Sequence, residues 1–385
     1  MSSFTKGLVG IIVLILVIVG LSFWASKSGQ KPTEPVVPPA PTGPIKIGFI
    51  GPLTGDAANI GQNSKAAVEI AVEEVNASGG VNGRPLEVIY EDGQCNGKAA
   101  ASAASKLIDI DKVPVILGGA CSGETSSFTG LAEQAKTVVL SYCASAPALT
   151  QAGDYIFRNV PSDNFQGVFV ADYIFNKLQK TKVVVLYVQS DYGVGIKDVF
   201  VTKFKELGGT IVAEEGYEQV SRDLRSQLTK IKAAKPQLLY FIGYTEASIP
   251  GLKQAAELKL NLPIFGSDAW DDNKIWTEVG AVGEGVMYSI PFSPLSDEFK
   301  AKMKAKLGSD TLTICSPNAY DGVKLLAGAM AQVGTDATAI KDAFYRASYT
   351  GGVSSPEIRF DQNGDLVGAN YVVKVVKNSK AEVLP

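Results

Sequence analysis

Four segments are rich in glycine or small hydroxyl residues: Gly51 to Gly55, Gly118 to Thr125, Ser141 to Pro147 and Ser190 to Gly195. Free backbone amides beside Ser and Thr hydroxyls suit an anion held at a helix N-terminus. These are not phosphate motifs. No Walker A is present, and Gly193-Val194-Gly195 lacks the third glycine of a dinucleotide fingerprint. The chain has no histidine, which removes the commonest general base, the commonest metal ligand and the usual pH switch. A GxSxG nucleophile elbow is also absent. The residue types favour non-covalent capture of a small molecule over turnover, with no cofactor and no metal. The four cysteines, Cys95, Cys121, Cys143 and Cys315, form no CxxC pair, which argues against zinc ribbons and thioredoxin-like redox sites.

The elements that must position these loops alternate. Ile45 to Ile50 reads as a buried strand. Ser64 to Asn76 follows with Ala67, Ile70, Ala71 and Val75 at helical spacing. Leu86 to Tyr90, Val113 to Leu117 and Val138 to Ser141 read as strands, with a helix over Gly97 to Ile110. A second series starts at Lys182. It has strands at Val183 to Val188, Thr210 to Ala213, Leu238 to Ile242 and Pro263 to Gly266. Helices are expected at Val194 to Leu207, Leu224 to Ala233 and Ala247 to Leu258. Repeated βα units with near-continuous apolar strands predict doubly wound parallel sheets, and two series predict two α/β lobes. Such sheets bind ligands at the C-terminal ends of their strands, where the glycine-hydroxyl loops fall. From about Ile290 the chain reads mostly as helices (Asp297 to Leu307, Ala319 to Val333, Thr338 to Ala347), closing on strands at Ile358 to Phe360 and Tyr371 to Val376. This tail is too strand-poor for a third lobe and is expected to complete the first two.

The length of 385 residues suits two domains, and a net charge of -3 shows no nucleic-acid footprint. Leu8 to Trp24 is 17 residues without a charge, long enough at about 1.5 Å per residue to span roughly 25 Å. Residues 1–26 are expected to be a transmembrane anchor or a cleaved signal peptide, and both readings export the rest. Phe23 is a poor residue for the third position before a cleavage after Ala25, and no lipobox cysteine follows. Residues 27–44 form a Pro-rich linker that cannot pack a core. An even cysteine count behind such a segment suggests disulfides.

Several segments together resemble the leucine/isoleucine/valine-binding proteins of branched-chain amino-acid ABC transporters, which have the type I periplasmic binding fold. They are IKIGFIGPLTG at Ile45, AVEEVNASGGVNGRPLEVIYEDGQC at Ala71, GGACSGETSS at Gly118, SYCASAPALT at Ser141, SDYGVG at Ser190, GYTEAS at Gly243, GSDAW at Gly266 and FDQNGDL at Phe360. The resemblance implies two Rossmann-like lobes joined by a three-crossover hinge. Lobe one is 44–160 plus 290–363, and lobe two is 161–289 plus 364–385.

By matching positions, the resemblance implies that Ser122 binds a ligand carboxylate; its rival use is an ordinary helix N-cap. Ser145 matches a ligand-holding hydroxyl, or else is a turn residue before Pro147. Cys143 matches a small residue whose carbonyl takes the ligand ammonium. Tyr192 matches a tyrosine covering the ligand, with Tyr244 on the same wall. Asp163 and Asp268 are candidates to pair with the ammonium, or are solvated loop aspartates. Trp270 shapes the side-chain pocket or is core. Ile60 stands where some members carry an aromatic. Cys95 and Cys121 fall on the family's disulfide. A second bridge between Cys143 and Cys315 requires the tail helix to lie beside the Ser141 loop.

The function implied is an extracytoplasmic solute-binding protein, not an enzyme. It is expected to close on an amino acid and deliver it to a membrane permease, while held to the membrane through its N-terminus. The rivals are a ligand-sensing receptor subunit and a binder of urea, an amide or an aromatic acid.

Overall fold

The first strand, β1 (Ile45–Gly51), buries Ile45, Ile47, Phe49 and Ile50, so both of its faces are covered. That requires neighbours on each edge and helices on each side. The computed structural model describes residues 43–308, 312–368 and 370–384. The expected membrane segment, and the linker up to residue 42, lie outside the described residues. Among those described, no helix is long and apolar enough to cross a membrane.

A parallel five-stranded sheet forms around β1, with β2 (Leu86–Asp92), β3 (Val115–Leu117), β4 (Val138–Ser141) and β5 (Ile156–Arg158) in the order β2-β1-β3-β4-β5. Its helices include α1 (Ala58–Ala77), α2 (Gly97–Ser105) and α3 (Ser122–Ala135). The chain then leaves this sheet. α4 (Asp163–Asp172), capped by the Ser162 hydroxyl, packs against α5 (Asp191–Glu206) of a second sheet.

The second sheet contains β6 (Lys182–Val188), β7 (Thr210–Tyr217), β8 (Leu238–Ile242), β9 (Ile264–Gly266) and β10 (Met287–Pro291), all parallel. Its helices are α6 (Arg225–Ala234), α7 (Thr245–Glu257) and α8 (Asn273–Val279). After β10 the chain returns to the first sheet, where α9 (Asp297–Leu307) and α10 (Ser316–Val333) pack on α1, and α11 (Ala337–Phe344) packs on α10. β11 (Tyr349–Thr350) and β12 (Glu357–Ile358) pair only with each other. A last crossing leads to β13 (Tyr371–Lys377), which adds antiparallel to β10, and to β14 (Lys380–Val383), antiparallel to β13. The seven strands run β14-β13-β10-β9-β8-β6-β7. Three crossings therefore join the two sheets.

The sequence reading and the structure part at a few elements. α1 starts at Ala58 rather than Ser64, because Gly61 sits inside the helix where the Pro52 carbonyl approaches: a Cβ there would lie 2.1 Å from that oxygen. β10 is a strand, although the chain from Ile290 onward reads as helical. The expected strand at Ile358 to Phe360 is only the two-residue β12.

At the third crossing the backbone runs beside the end of β5. Arg158 N–H donates to the Gly364 carbonyl at 3.0 Å. Gly364 has φ +76°, and a Cβ on it would lie 2.1 Å from the Ile156 carbonyl oxygen. Only glycine fits there without displacing β5.

Candidate functional site

The loops after β3 and β4 face those after β6, β8 and β9 across a cleft between the two sheets. Polar contacts tie the rims together. Asn59 donates to Asp272 at 2.8 Å, Gln219 donates to the Cys95 carbonyl at 3.2 Å, and Asp56 forms an ion pair with Arg222. The cleft is narrow, closed down to a cavity of ≈ 20 Å³.

Six of the seven expected ligand residues line this cavity: Ser122, Cys143, Ser145, Tyr192, Tyr244 and Asp268. Ile60 lines it as well. Ala120, Cys121, Ala269 and Ile314, none of them expected, complete the wall. Asp163 does not line it. It is fully buried behind Ser145, whose hydroxyl donates to Asp163 Oδ2 at 3.0 Å, while the Asp163 N–H donates to the Ser145 carbonyl at 2.8 Å. Trp270 is fully buried against Phe241 and Trp276 and belongs to the core.

One end of the cavity offers a hydroxyl donor at a helix start. Ser122 opens α3 and is almost fully buried. Its Oγ accepts from the Ala146 N–H at 3.1 Å, so its own proton is free to be donated. The same helix start holds Glu124, also fully buried, which accepts from the amides of Ala120 at 2.8 Å and Cys121 at 3.2 Å. Burial pushes its carboxyl up to about 7, against the pull of those amides.

The other end is acidic. Tyr192 donates to Asp268 Oδ1 at 2.6 Å and stacks on Tyr244 with ring centroids 5.3 Å apart. Gln166, in the orientation that satisfies its amide, donates to Asp163 Oδ1 at 3.0 Å and to Asp268 Oδ1 at 3.3 Å. Its oxygen accepts from the Ser289 hydroxyl and the Asp268 amide. Burial raises Asp163 well above the usual carboxylate range, and the Asp268 charge adds to the rise. Burial also raises Asp268, while the Tyr192 and Gln166 donors oppose it. Tyr192 rises too, through burial and then the two nearby carboxylates. Two carboxylates with few cations nearby make this end a natural seat for a positive charge.

Both cysteine pairs are disulfides, Cys95–Cys121 and Cys143–Cys315, each with Cα atoms 5.3 Å apart. The start of α10 does lie beside the Ser141 loop. The sulfur of Cys143 at the cavity edge is therefore half of a cystine rather than a thiol. Ile314, next to Cys315, is brought to the wall by that bridge. In sequence it stood in an unremarked stretch before a helix. Gln166 gave no signal either, since its bonds run to residues made adjacent only by the fold.

The sequence matches the periplasmic binding protein family over residues 44–380. Among curated proteins, a leucine-, isoleucine-, valine-, threonine- and alanine-binding protein of Pseudomonas aeruginosa is 29% identical over 339 residues, covering 86% of this chain and 89% of its own. The Leu/Ile/Val-binding protein of Escherichia coli K12 is 25% identical over 338 residues, covering 86% and 90%. Among solved structures, the leucine binding protein LivK of Thermotoga maritima superposes with a TM-score of 0.83 at 27% identity, covering 89% of this chain and 98% of that one. LivJ of Streptococcus pneumoniae, in complex with isoleucine, gives 0.80 at 28% identity, covering 89% and 99%. Fold, loop placement and sequence agree, and the chain belongs to the periplasmic binding protein family.

Proposed function

We propose that this protein is the extracytoplasmic solute-binding component of an ABC transporter. It captures an amino acid of the branched-chain type between two lobes and passes it to a membrane permease. Lobe one is 44–160 plus 290–363, and lobe two is 161–289 plus 364–385; the sheet membership of the strands supports this division except at β10, whose last two residues stay in the second sheet. The observation that carries the reading is the polarity of the cavity. Ser122 and the start of α3 offer donors for a carboxylate at one end, and Asp268 with its Tyr192 partner offers a seat for an ammonium at the other. Ser122 and Ser145 come from loops of the first sheet, whereas Tyr192, Tyr244 and Asp268 come from loops of the second. A zwitterion bridging both sets stabilises the closed arrangement, because only that arrangement presents both. Ile60, Ile314 and the two tyrosine rings leave an apolar wall for an aliphatic side chain. The printed names of the relatives point to the same ligand class. Residues 1–26 act as the membrane anchor or the export signal, and 27–44 as the tether.

Isothermal titration tests this. The protein is unfolded and refolded to strip carried-over solute, then titrated with the twenty amino acids, urea and short amides. Micromolar or tighter binding of an amino acid, lost in Ser122→Ala, is expected. Silence across all twenty would sink the amino-acid assignment.

A further inference from the structure

Among the described residues, a buried and heavily bonded cation lies outside the cavity. Arg158, at the end of β5, is 2% exposed. Its Nε donates to Asp365 Oδ1 at 2.6 Å and its Nη2 to Asp365 Oδ2 at 2.8 Å, a bidentate fork. Nη2 also donates to the Thr150 hydroxyl at 2.7 Å, which in turn donates to Asp365 Oδ2 at 2.7 Å. The remaining arm, Nη1, donates to the Ala146 carbonyl at 2.8 Å. Asp365 belongs to the third crossing between the sheets, and the amide of Asp365 is itself held by Asp361 Oδ1 at 3.0 Å.

Ala146 is the residue whose N–H meets Ser122 Oγ. It precedes Pro147, and its backbone sits at φ -52° and ψ 137°. A residue before proline is confined to extended or polyproline torsions, and each flanking peptide is planar. Fixing the Ala146 carbonyl therefore fixes the direction of its N–H. That N–H occupies an acceptor site on Ser122 and leaves the hydroxyl proton for a partner in the cavity. Without it, a serine at a helix start readily turns its hydroxyl to neighbouring backbone groups.

We propose that Arg158 is a positioning residue for the ligand: it aims Ser122 through Ala146 and ties that aim to the hinge through Asp365. The inference rests on the reading of the cavity as the amino-acid site. A buried ion pair of this kind adds little net stability over a well-packed apolar pair. What the planar fork adds is fixed geometry, which lysine does not reproduce.

A double-mutant cycle on the full-length protein tests it, with L-isoleucine as titrant and melting temperatures taken without it. Ser122→Ala alone is expected to weaken binding about 10- to 100-fold, the range for a hydrogen bond to a charged group. Arg158→Lys alone is expected to weaken it by a similar factor. In the Arg158→Lys background, Ser122→Ala is expected to add less than about threefold, because coupled partners are not additive. If Ser122→Ala costs the same factor in both backgrounds, Arg158 is merely structural and the inference is overturned. Thr150→Val, which removes one partner of the guanidinium and leaves its charge paired, carries the same cycle should Arg158→Lys fail to fold. If wild-type protein gives no heat with L-isoleucine or with any other of the twenty amino acids, the ligand reading falls and this inference with it. Binding that survives Ser122→Ala undiminished, by contrast, overturns this inference, since Arg158 then has no ligand group to aim, and leaves the protein an amino-acid binder.

Discussion

Asp268 and Asp163 are close in space and differ in use. Asp268 faces the cavity, whereas Asp163 supports Ser145 from behind. Asp268→Asn is expected to weaken an amino acid about 10- to 100-fold, the value of a charge-assisted bond, and to leave any binding of a short amide unchanged; titration with both decides it. Glu124 gives a second prediction. Burial holds its carboxyl at about 7, above the 4.5 of an unperturbed glutamate. Its contribution to stability is thus full below pH 4.5 and is lost as the pH rises to 7, by ~3 kcal/mol at 1.36 kcal/mol per unit. Asp163 and Asp268 are raised as well and act in the same sense. Urea unfolding from pH 4.5 to 8 should show stability falling with pH, with a shallower fall in Glu124→Gln; an unchanged slope would refute the assignment. Ser122, Tyr192 and Asp268 were legible through the resemblance, by matching positions, and the structure brings all three to the cavity wall. Arg158, Gln166 and Ile314 were not, because their partners lie far along the chain and only the fold brings them near.

Elements were legible where they are long and apolar. β1, β6 and β8 read as strands because every face is buried. β5 escaped notice: it has three residues and ends on a charge, and Arg158 is buried only because Asp365 arrives from 207 residues away. α4 was also missed, although Ser162 after Pro161 is a legitimate helix start; its buried stripe carries Asp163, Gln166 and Gly167 beside Val170 and Ala171, while Phe165 and Val168 are exposed, so the apolar pattern misleads. The third crossing carries its own test. Gly364→Ala combines a positive φ with a contact against β5, and should cost at least ~1–3 kcal/mol. Thermal unfolding in the absence of amino acids measures it; a cost near zero would mean that the crossing is free to move away from β5.

At the scale of the molecule, both disulfides join elements built on the first sheet, and neither spans the cleft. The covalent links therefore leave the lobes free to part. The Cys143–Cys315 bridge closes a separation of 172 residues, and removing it with Cys143→Ser and Cys315→Ser should cost ~2–5 kcal/mol. Because that bridge also places Ile314, amino-acid affinity should fall with it, even at temperatures where the variant stays folded; a melting curve and a titration at 15 °C separate the two effects.

Four cysteines permit three pairings, and this protein uses the one in which each joins its neighbour along the chain: first with second, third with fourth. Emerging from a translocation channel N-terminus first, Cys121 meets a waiting Cys95, and only then does Cys143 appear, with no free partner until Cys315 follows. Order of arrival favours the native set, and the protein is expected to mature with a thiol oxidase alone; mispaired monomers in cells that lack a disulfide isomerase would refute this.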